Sequence, residues 1–229
     1  MASNPVRILI HACPKRMWYV NDFLIPMLTD QGARTNEILL WNDSGGKGNL
    51  ISCMEAFASL PFDGETWHIQ DDVLPCRDFM ARIRAHPGGP AYGFCCETFY
   101  DNIYNTGRVY AADAWHSFQC VCIPDAWARD CAEWFFSGAW ERSSWDIDLP
   151  TLRKIGKGDD SFFREFLLQK HGHEPVTNYA PNLVEHVDWL IGGSSLGHWN
   201  DRIIRSGRWE DEALVTELRQ RLRERRRTN

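Results

Sequence analysis

The heptapeptide Trp67-His68-Ile69-Gln70-Asp71-Asp72-Val73 sets two adjacent carboxylates at the end of an apolar run that reads as a buried strand. Like charges side by side at such a position repel and lose hydration, so something cationic normally has to offset them. A hard divalent ion bridging to a diphosphate would do so, because magnesium and manganese favour carboxylate and phosphate oxygens. On the dipeptide alone, a surface turn or a helix cap ahead of Pro75 explains the pair equally well.

Working outward, the chain before this strand alternates strand and helix signals. Val6 to His11 is a short β-branched apolar run, followed by a polar loop from Ala12 to Arg16. Tyr19, Val20, Phe23, Leu24, Met27 and Leu28 then recur at helical spacing, with Pro26 expected to kink or shorten that helix. Glu37 to Trp41 reads as a second strand, broken by the glycine-rich loop Asn42 to Gly48. Leu50, Cys53, Met54 and Phe57 mark one face of a helix starting near Asn49. The third strand is Thr66 to Gln70. Pro75 suits the first turn of a helix whose Phe79 and Ile83 face inward, and Ala91 to Cys96 reads as a fourth strand. This order predicts an α/β fold with a mostly parallel sheet and helices on both faces. In such sheets ligands lie beyond the carboxyl ends of the strands. Those ends carry His11, Lys15 and Arg16, then Asn42 and Asp43, then Gln70 to Asp72, then Glu97.

The second half is irregular and aromatic. A Tyr- and Asn-rich loop spans Thr98 to Ser117, Phe118 to Ile123 reads as a strand, and Pro124 opens a helix carrying Trp127, Cys131, Trp134 and Phe135 on one side. Asp159 or Asp160 is expected to cap a helix with Phe162, Phe163, Phe166 and Leu167 inside, ending at Gly172. His186 is embedded in the apolar stretch Val184 to Ile191. Leu214, Leu218 and Leu222 give a final amphipathic helix.

With 229 residues the chain can bury one substantial core. A formal charge of −6 argues against whole-molecule affinity for nucleic acid, although Leu218 to Asn229 holds six arginines against one glutamate. A solvated helix end is the ordinary reading of that run, and a phosphate-contacting arm the sharper one. The 8 cysteines show no paired zinc spacing, and Cys95, Cys96, Cys120 and Cys122 sit in apolar stretches as small hydrophobes. Reduced thiols, no secretory leader and no membrane span suggest a cytoplasmic protein.

Gln70-Asp71-Asp72-Val73 resembles the Asp-x-Asp-type metal motif of GT-A glycosyltransferases, notably the procollagen galactosyltransferase type and small phage and bacterial enzymes. Three further segments are similar to that family's plan. Ile8 to Arg16 resembles the segment that holds the nucleotide base and ribose, which implies contacts from His11, Pro14 and Arg16. Asp43 to Asn49 resembles the loop beside base and ribose, implicating Asp43, Lys47 and Asn49; it is not a P-loop, since no Ser or Thr follows Lys47. Pro181 to His186 followed by Gly192 to Ser195 resembles the segment that supplies a histidine to metal or diphosphate. The resemblance thus implies a Rossmann-like GT-A domain over about 1–205. Its nucleotide-sugar half would be about 1–97, its acceptor half about 98–205, with a basic helix at 206–229.

By the same resemblance Asp72 and His186 would bind Mn2+ or Mg2+, Asp71 would contact the donor ribose or a metal-bound water, and Gln70 would stand where the family has an acid. A UDP-linked sugar is the default donor, and Lys15, Arg16 and Lys47 could assist its diphosphate. Inverting transfer needs a carboxylate to take the acceptor's proton. Asp160 is the first candidate, Asp159 the second, and Glu97 a reserve. The acceptor is open among a glycan, a protein and a modified base in DNA. Tyr100, Tyr104, Trp115, Trp140 and Trp145 could present faces to it, with core packing the alternative for at least half of them. Two rival readings are a nucleotidyltransferase, which would ordinarily place a Gly-rich loop where Ala12 to Arg16 stands, and a non-catalytic carbohydrate- or nucleic-acid-binding module.

Overall fold

Every residue of β1 (Ile8–Ala12) is buried, as expected of an uninterrupted apolar run covered on both faces of a sheet. It lies between β2 (Ile38–Asn42) and β3 (Glu65–Gln70) and runs parallel to both. The computed structural model describes residues 6–61, 63–93, 118–142, 158–171, 174–179, 181–192 and 211–228. Beyond β3 the sheet continues through β6 (Cys120–Pro124), β5 (Ala91–Tyr92) and β7 (Thr177–Asn178), giving the six-stranded order β2-β1-β3-β6-β5-β7. β6 is antiparallel to both neighbours and the other pairings are parallel. The sheet is therefore mostly parallel, as the element order predicts. The fourth strand, however, does not sit beside β3. β6 pairs with β3 from Glu65↔Pro124 to Ile69↔Cys120 and fills that position instead.

The alternation of β1 divides two cores. Ile8, Ile10 and Ala12 join a cluster with Tyr19, Val20, Phe79, Leu183 and Val184 on one face. Leu9 points the other way, into Phe57, Phe118, Phe162 and Phe163. That second face is covered by α3 (Asn49–Ala58), α5 (Asp125–Phe136) and α6 (Asp159–Lys170), with α4 (Phe79–Arg84) on the first.

The two prolines singled out in the sequence fare differently. The helical segment at residues 14–30 contains α1 (Met17–Tyr19) and α2 (Ile25–Asp30), and passes through a π-helical stretch, Val20–Leu24, just ahead of Pro26. The wider turn accommodates the missing N–H and the bulk of the ring without breaking the helix. Pro75 does not open a helix. It ends β4 (Val73–Pro75), which pairs with β8 (Val184–His186) in a separate two-stranded sheet, and α4 starts only at Phe79. The β4–β8 pairing sets His186 opposite Val73, directly after the acidic pair.

Neither aspartate caps α6: the N-cap is Gly158, with Asp159 and Asp160 as the first two helical residues. Among the described residues, Cys13, Cys53, Cys76, Cys120, Cys122 and Cys131 are free thiols. β8 leads into α7 (Asp188–Ile191), and α8 (Glu212–Thr228) closes the described chain. Val215, Leu218 and Leu222 of α8 are buried in the same cluster as Ile8 and Ile10, so this helix docks on the core. Two of its arginines engage the body: Arg225 meets Asp22 at 3.0 Å and covers the Trp18 ring, and Arg219 covers Trp189. Among the described residues no helix is long and apolar enough to cross a membrane.

Candidate functional site

β1 lies between two parallel neighbours reached in opposite directions, so the crevice outside the carboxyl ends of β1 and β3 is the topological switch point of the sheet. Four side chains from three segments meet there. Asp71 and Asp72 leave the end of β3 and are 2% and 6% exposed. Arg16 is turned back onto them by the 3-10 turn Pro14–Arg16 that follows β1. Its Nε lies 3.0 Å from Asp71 Oδ1, off hydrogen-bonding angle, and its Nη1 donates to Asp72 Oδ2. His186 arrives from β8 with Nε2 3.3 Å from Asp72 Oδ2, and its Nδ1 lies 3.5 Å from Asp188 Oδ1. The main-chain N–H of Cys13 donates to Asp71 Oδ2 at 2.6 Å. Tyr19 Oη donates to the carbonyl of Val73 at 2.9 Å, tying the helical segment to the same turn.

The cation demanded by the acidic pair is thus Arg16. Burial works against charge on Asp72, but Arg16 and His186 outweigh it and hold its carboxyl below the usual range. Burial pushes Asp71 up, opposed by Arg16. The guanidinium itself is held charged, since Asp72 and Asp71 outweigh its own desolvation.

Part of the donor set suits a hard divalent ion. Asp72 Oδ1 is buried and accepts no hydrogen bond, which leaves a carboxylate lone pair unused where burial makes that costly. His186 Nε2 lies 3.3 Å from Asp72 Oδ2, and carboxylate with imidazole suits manganese, although the donor atoms of Asp71, Asp72 and His186 do not all lie within 4.8 Å of one another. Asp72 and His186 are the residues that could hold it, with Arg16 and His186 both facing Asp72 Oδ2.

A second group lies on the other side of the β3 end. Asp159, 3% exposed at the start of α6, accepts from Asn49 Nδ2 at 2.6 Å and from Gln70 Nε2 at 3.4 Å. Burial, with Asp160 adding to it, pushes the Asp159 carboxyl up. Asp160 is half-buried and accepts from the N–H and Oγ of Ser161.

The remaining sequence candidates are dispersed. His11 is 5% exposed, with Nε2 3.0 Å from Ser52 Oγ, and burial lowers its pKa to about 4 against the pull of Asp43. Asp43 accepts from the N–H groups of Lys47 and Gly48, both at 2.9 Å, so it occupies amides of its own loop. Gly48, at φ +90°, makes the turn into α3 possible. Pro14 and Lys47 are exposed, and Lys47 pairs with Glu55 at 2.6 Å. Trp140 is buried against Phe162, a core position. Glu97, Tyr100, Tyr104, Trp115, Trp145 and Gly193 to Ser195 lie outside the described residues. Sequence reasoning missed the N–H of Cys13 and the Asp188 carboxylate behind His186. The first carries no side-chain signal, whereas an acid two residues after a candidate ligand was visible.

No family profile and no curated protein matches the chain. Among solved structures it is similar to galactosyltransferase LgtC in complex with donor and acceptor sugar analogs, at 10% identity and TM-score 0.48, covering 92% of this chain and 94% of that one. It is also similar to the apo-form glycosyltransferase GlyE of Streptococcus pneumoniae, at 9% identity and TM-score 0.46 over 77% of this chain. The chain spans 45% of the GlyE chain. Likeness at this level leaves the chemistry to the residues themselves.

Proposed function

We propose that this chain is a metal-dependent glycosyltransferase that moves a sugar from a nucleotide-sugar donor, by default UDP-linked, to an acceptor hydroxyl. The observation that carries this reading is the buried Asp71–Asp72 pair at the switch point, faced by Arg16 and His186 and keeping one carboxylate oxygen unbonded. Asp72 and His186 would hold Mn2+ or Mg2+, which when bound neutralises charge on the departing diphosphate. Asp71 is then free to accept from the donor ribose. Arg16, displaced from the carboxylates, supplies a guanidinium to phosphate oxygens, with Lys15 nearby in sequence.

Asp159 is the better-situated general base of the two helix-start acids. Its oxygens face Asn49 and Gln70 across the end of β3, and its raised pKa brings it nearer neutrality, where a base is most effective. Asp160 is engaged by Ser161 of its own helix.

The test is nucleotide release from a panel of nucleotide-sugars in manganese, with glycan, peptide and hydroxymethylated-DNA acceptors. Acceptor-stimulated release of a nucleoside diphosphate, lost in Asp72→Asn, supports the proposal. Release of pyrophosphate instead would identify a nucleotidyltransferase, and nucleotide binding without turnover across the panel would favour a binding module.

A further inference from the structure

Beneath the cleft, and independent of its proposed reaction, the core holds a second cluster of metal-binding side chains. Donor atoms of His11, Cys53 and His68 all lie within 4.8 Å of one another. They come from β1, α3 and β3, and are 5%, 0% and 1% exposed. His68 is the telling member. Neither of its ring nitrogens makes a hydrogen bond of normal geometry, although the Phe118 main chain is close enough to bias the ring toward charge. A buried imidazole whose nitrogens meet at best a poorly aligned main-chain group is costly, and ordinarily has an explanation outside the packing. Phe57 and Phe118 contact its ring edge-on, so its surroundings are largely apolar.

We propose that His11, Cys53 and His68 form a binding site for one soft d10 cation, Zn2+ or Cu+. Two imidazoles and a thiolate select such ions over the hard divalent metals suited to Asp71 and Asp72. Metal–nitrogen bonds of about 2.0–2.1 Å and metal–sulfur bonds of about 2.3 Å call for closure of the three donors by at most about 1 Å. Ser52 Oγ, 3.0 Å from His11 Nε2, steadies that ring. Both histidines are kept neutral by burial, the form in which imidazole ligates. Cys53 is a thiol without metal, pushed up by burial, so binding exchanges its proton for the cation and releases that proton to solvent. Asp159 and Asp160 impose a negative potential at the same sulfur, which favours a cation there and offsets the charge Zn2+ would leave. The bound ion would tie the carboxyl ends of β1 and β3 to α3. A second grouping, Glu65, His86 and Cys122, lacks this logic: both His86 nitrogens are already engaged, by Tyr179 Oη at 2.9 Å and the Gly89 carbonyl at 2.8 Å.

The test uses the whole chain, stripped with a chelator and titrated with Co2+ as a spectroscopic stand-in for Zn2+, and separately with Cu+ against a chromophoric competitor. The expected result is a thiolate-to-cobalt charge-transfer band that saturates at one equivalent bound at the thiol, whatever the carboxylate site takes up besides, retained in Asp72→Asn and lost in Cys53→Ala and His68→Gln. Tighter retention of Cu+ than of Zn2+ against matched competitors would assign copper, and the reverse zinc. Circular dichroism establishes that the variants are folded. Should either fail to fold, wild-type stoichiometry and the thiolate band decide. No thiolate band in the wild type, or a band that survives in folded Cys53→Ala, overturns the proposal.

Discussion

Replacing Arg16 by Met in metal-free protein removes the guanidinium from between Asp71 and Asp72 while keeping much of the side chain's volume. Arg16, Asp71 and Asp72 are 5%, 2% and 6% exposed, so solvent cannot take over the role of the lost charge. Breaking a buried pair by removing one partner costs about 3–5 kcal/mol, and here two carboxylates lose the same partner. Protonation of one carboxylate relieves the repulsion, and that fixes the pH dependence. The folded variant holds a carboxyl raised above its unfolded value, so its stability is highest in acid and falls as pH rises through that raised pKa. The deficit relative to wild type is therefore larger near about pH 8 than near about pH 6. Urea unfolding followed by tryptophan fluorescence at both values measures it. Manganese at about 100 times its dissociation constant should return about 2.7 kcal/mol to the variant, and less to wild type, where Arg16 competes. A loss below about 1 kcal/mol at both pH values, against the expected cost of an uncompensated buried charge, would refute the assignment of Arg16 as the counter-ion.

Three further outcomes follow from the same geometry. His11 and His68, with pKa values lowered to about 4 and about 3, lend stability that is present above the unfolded value of about 6.5 and lost as pH falls toward them. Metal-free protein should lose up to about 2.7 kcal/mol per pH unit in that window, and His68→Gln about half as much, by urea midpoints across it. Asp159→Asn should lower turnover about 100-fold or more while leaving unfolding stability near pH 8 unchanged or higher, because the carboxyl it removes is charged there against burial. A parallel loss of both would make Asp159 a structural residue. Leu218→Ala should cost about 2–5 kcal/mol in thermal unfolding, since Leu218 is 3% exposed in the main core. A near-neutral effect would mean that α8 is not integral to the fold.

The strands that decide the fold were legible because they carry period and punctuation. β1 is a short, largely apolar run, two acids follow directly on β3, and Gly48 announces the turn into α3. What escaped was pairing between distant segments. Nothing local marks Cys120 to Pro124 as the strand beside β3, or Val73 to Pro75 as a partner for Val184 to His186. Pro75 looked like a helix opener because proline at the first helical position and proline at a strand end share one local cause, the missing N–H. In the site, charge was legible and geometry was not. Asp71, Asp72, His186 and Arg16 were each visible as residues, but that Arg16 lies between the two acids depends on a 3-10 turn whose three residues, Pro14, Lys15 and Arg16, read only as a polar loop. His11 reads as a base or ribose contact because Ile8 to Arg16 resembles the segment that holds the nucleotide. Its side chain shares the parity of Leu9 and follows it into the core.

The most direct test of a metal-assisted nucleotide site is calorimetric titration of UDP and other nucleoside diphosphates into wild type and Asp72→Ala, with and without manganese. The expected result is binding that requires both the ion and Asp72, with the tightest nucleotide naming the donor class. Absence of nucleotide binding under every metal condition, or equal binding by folded Asp72→Ala, would contradict the assignment of the Asp71–Asp72 pair.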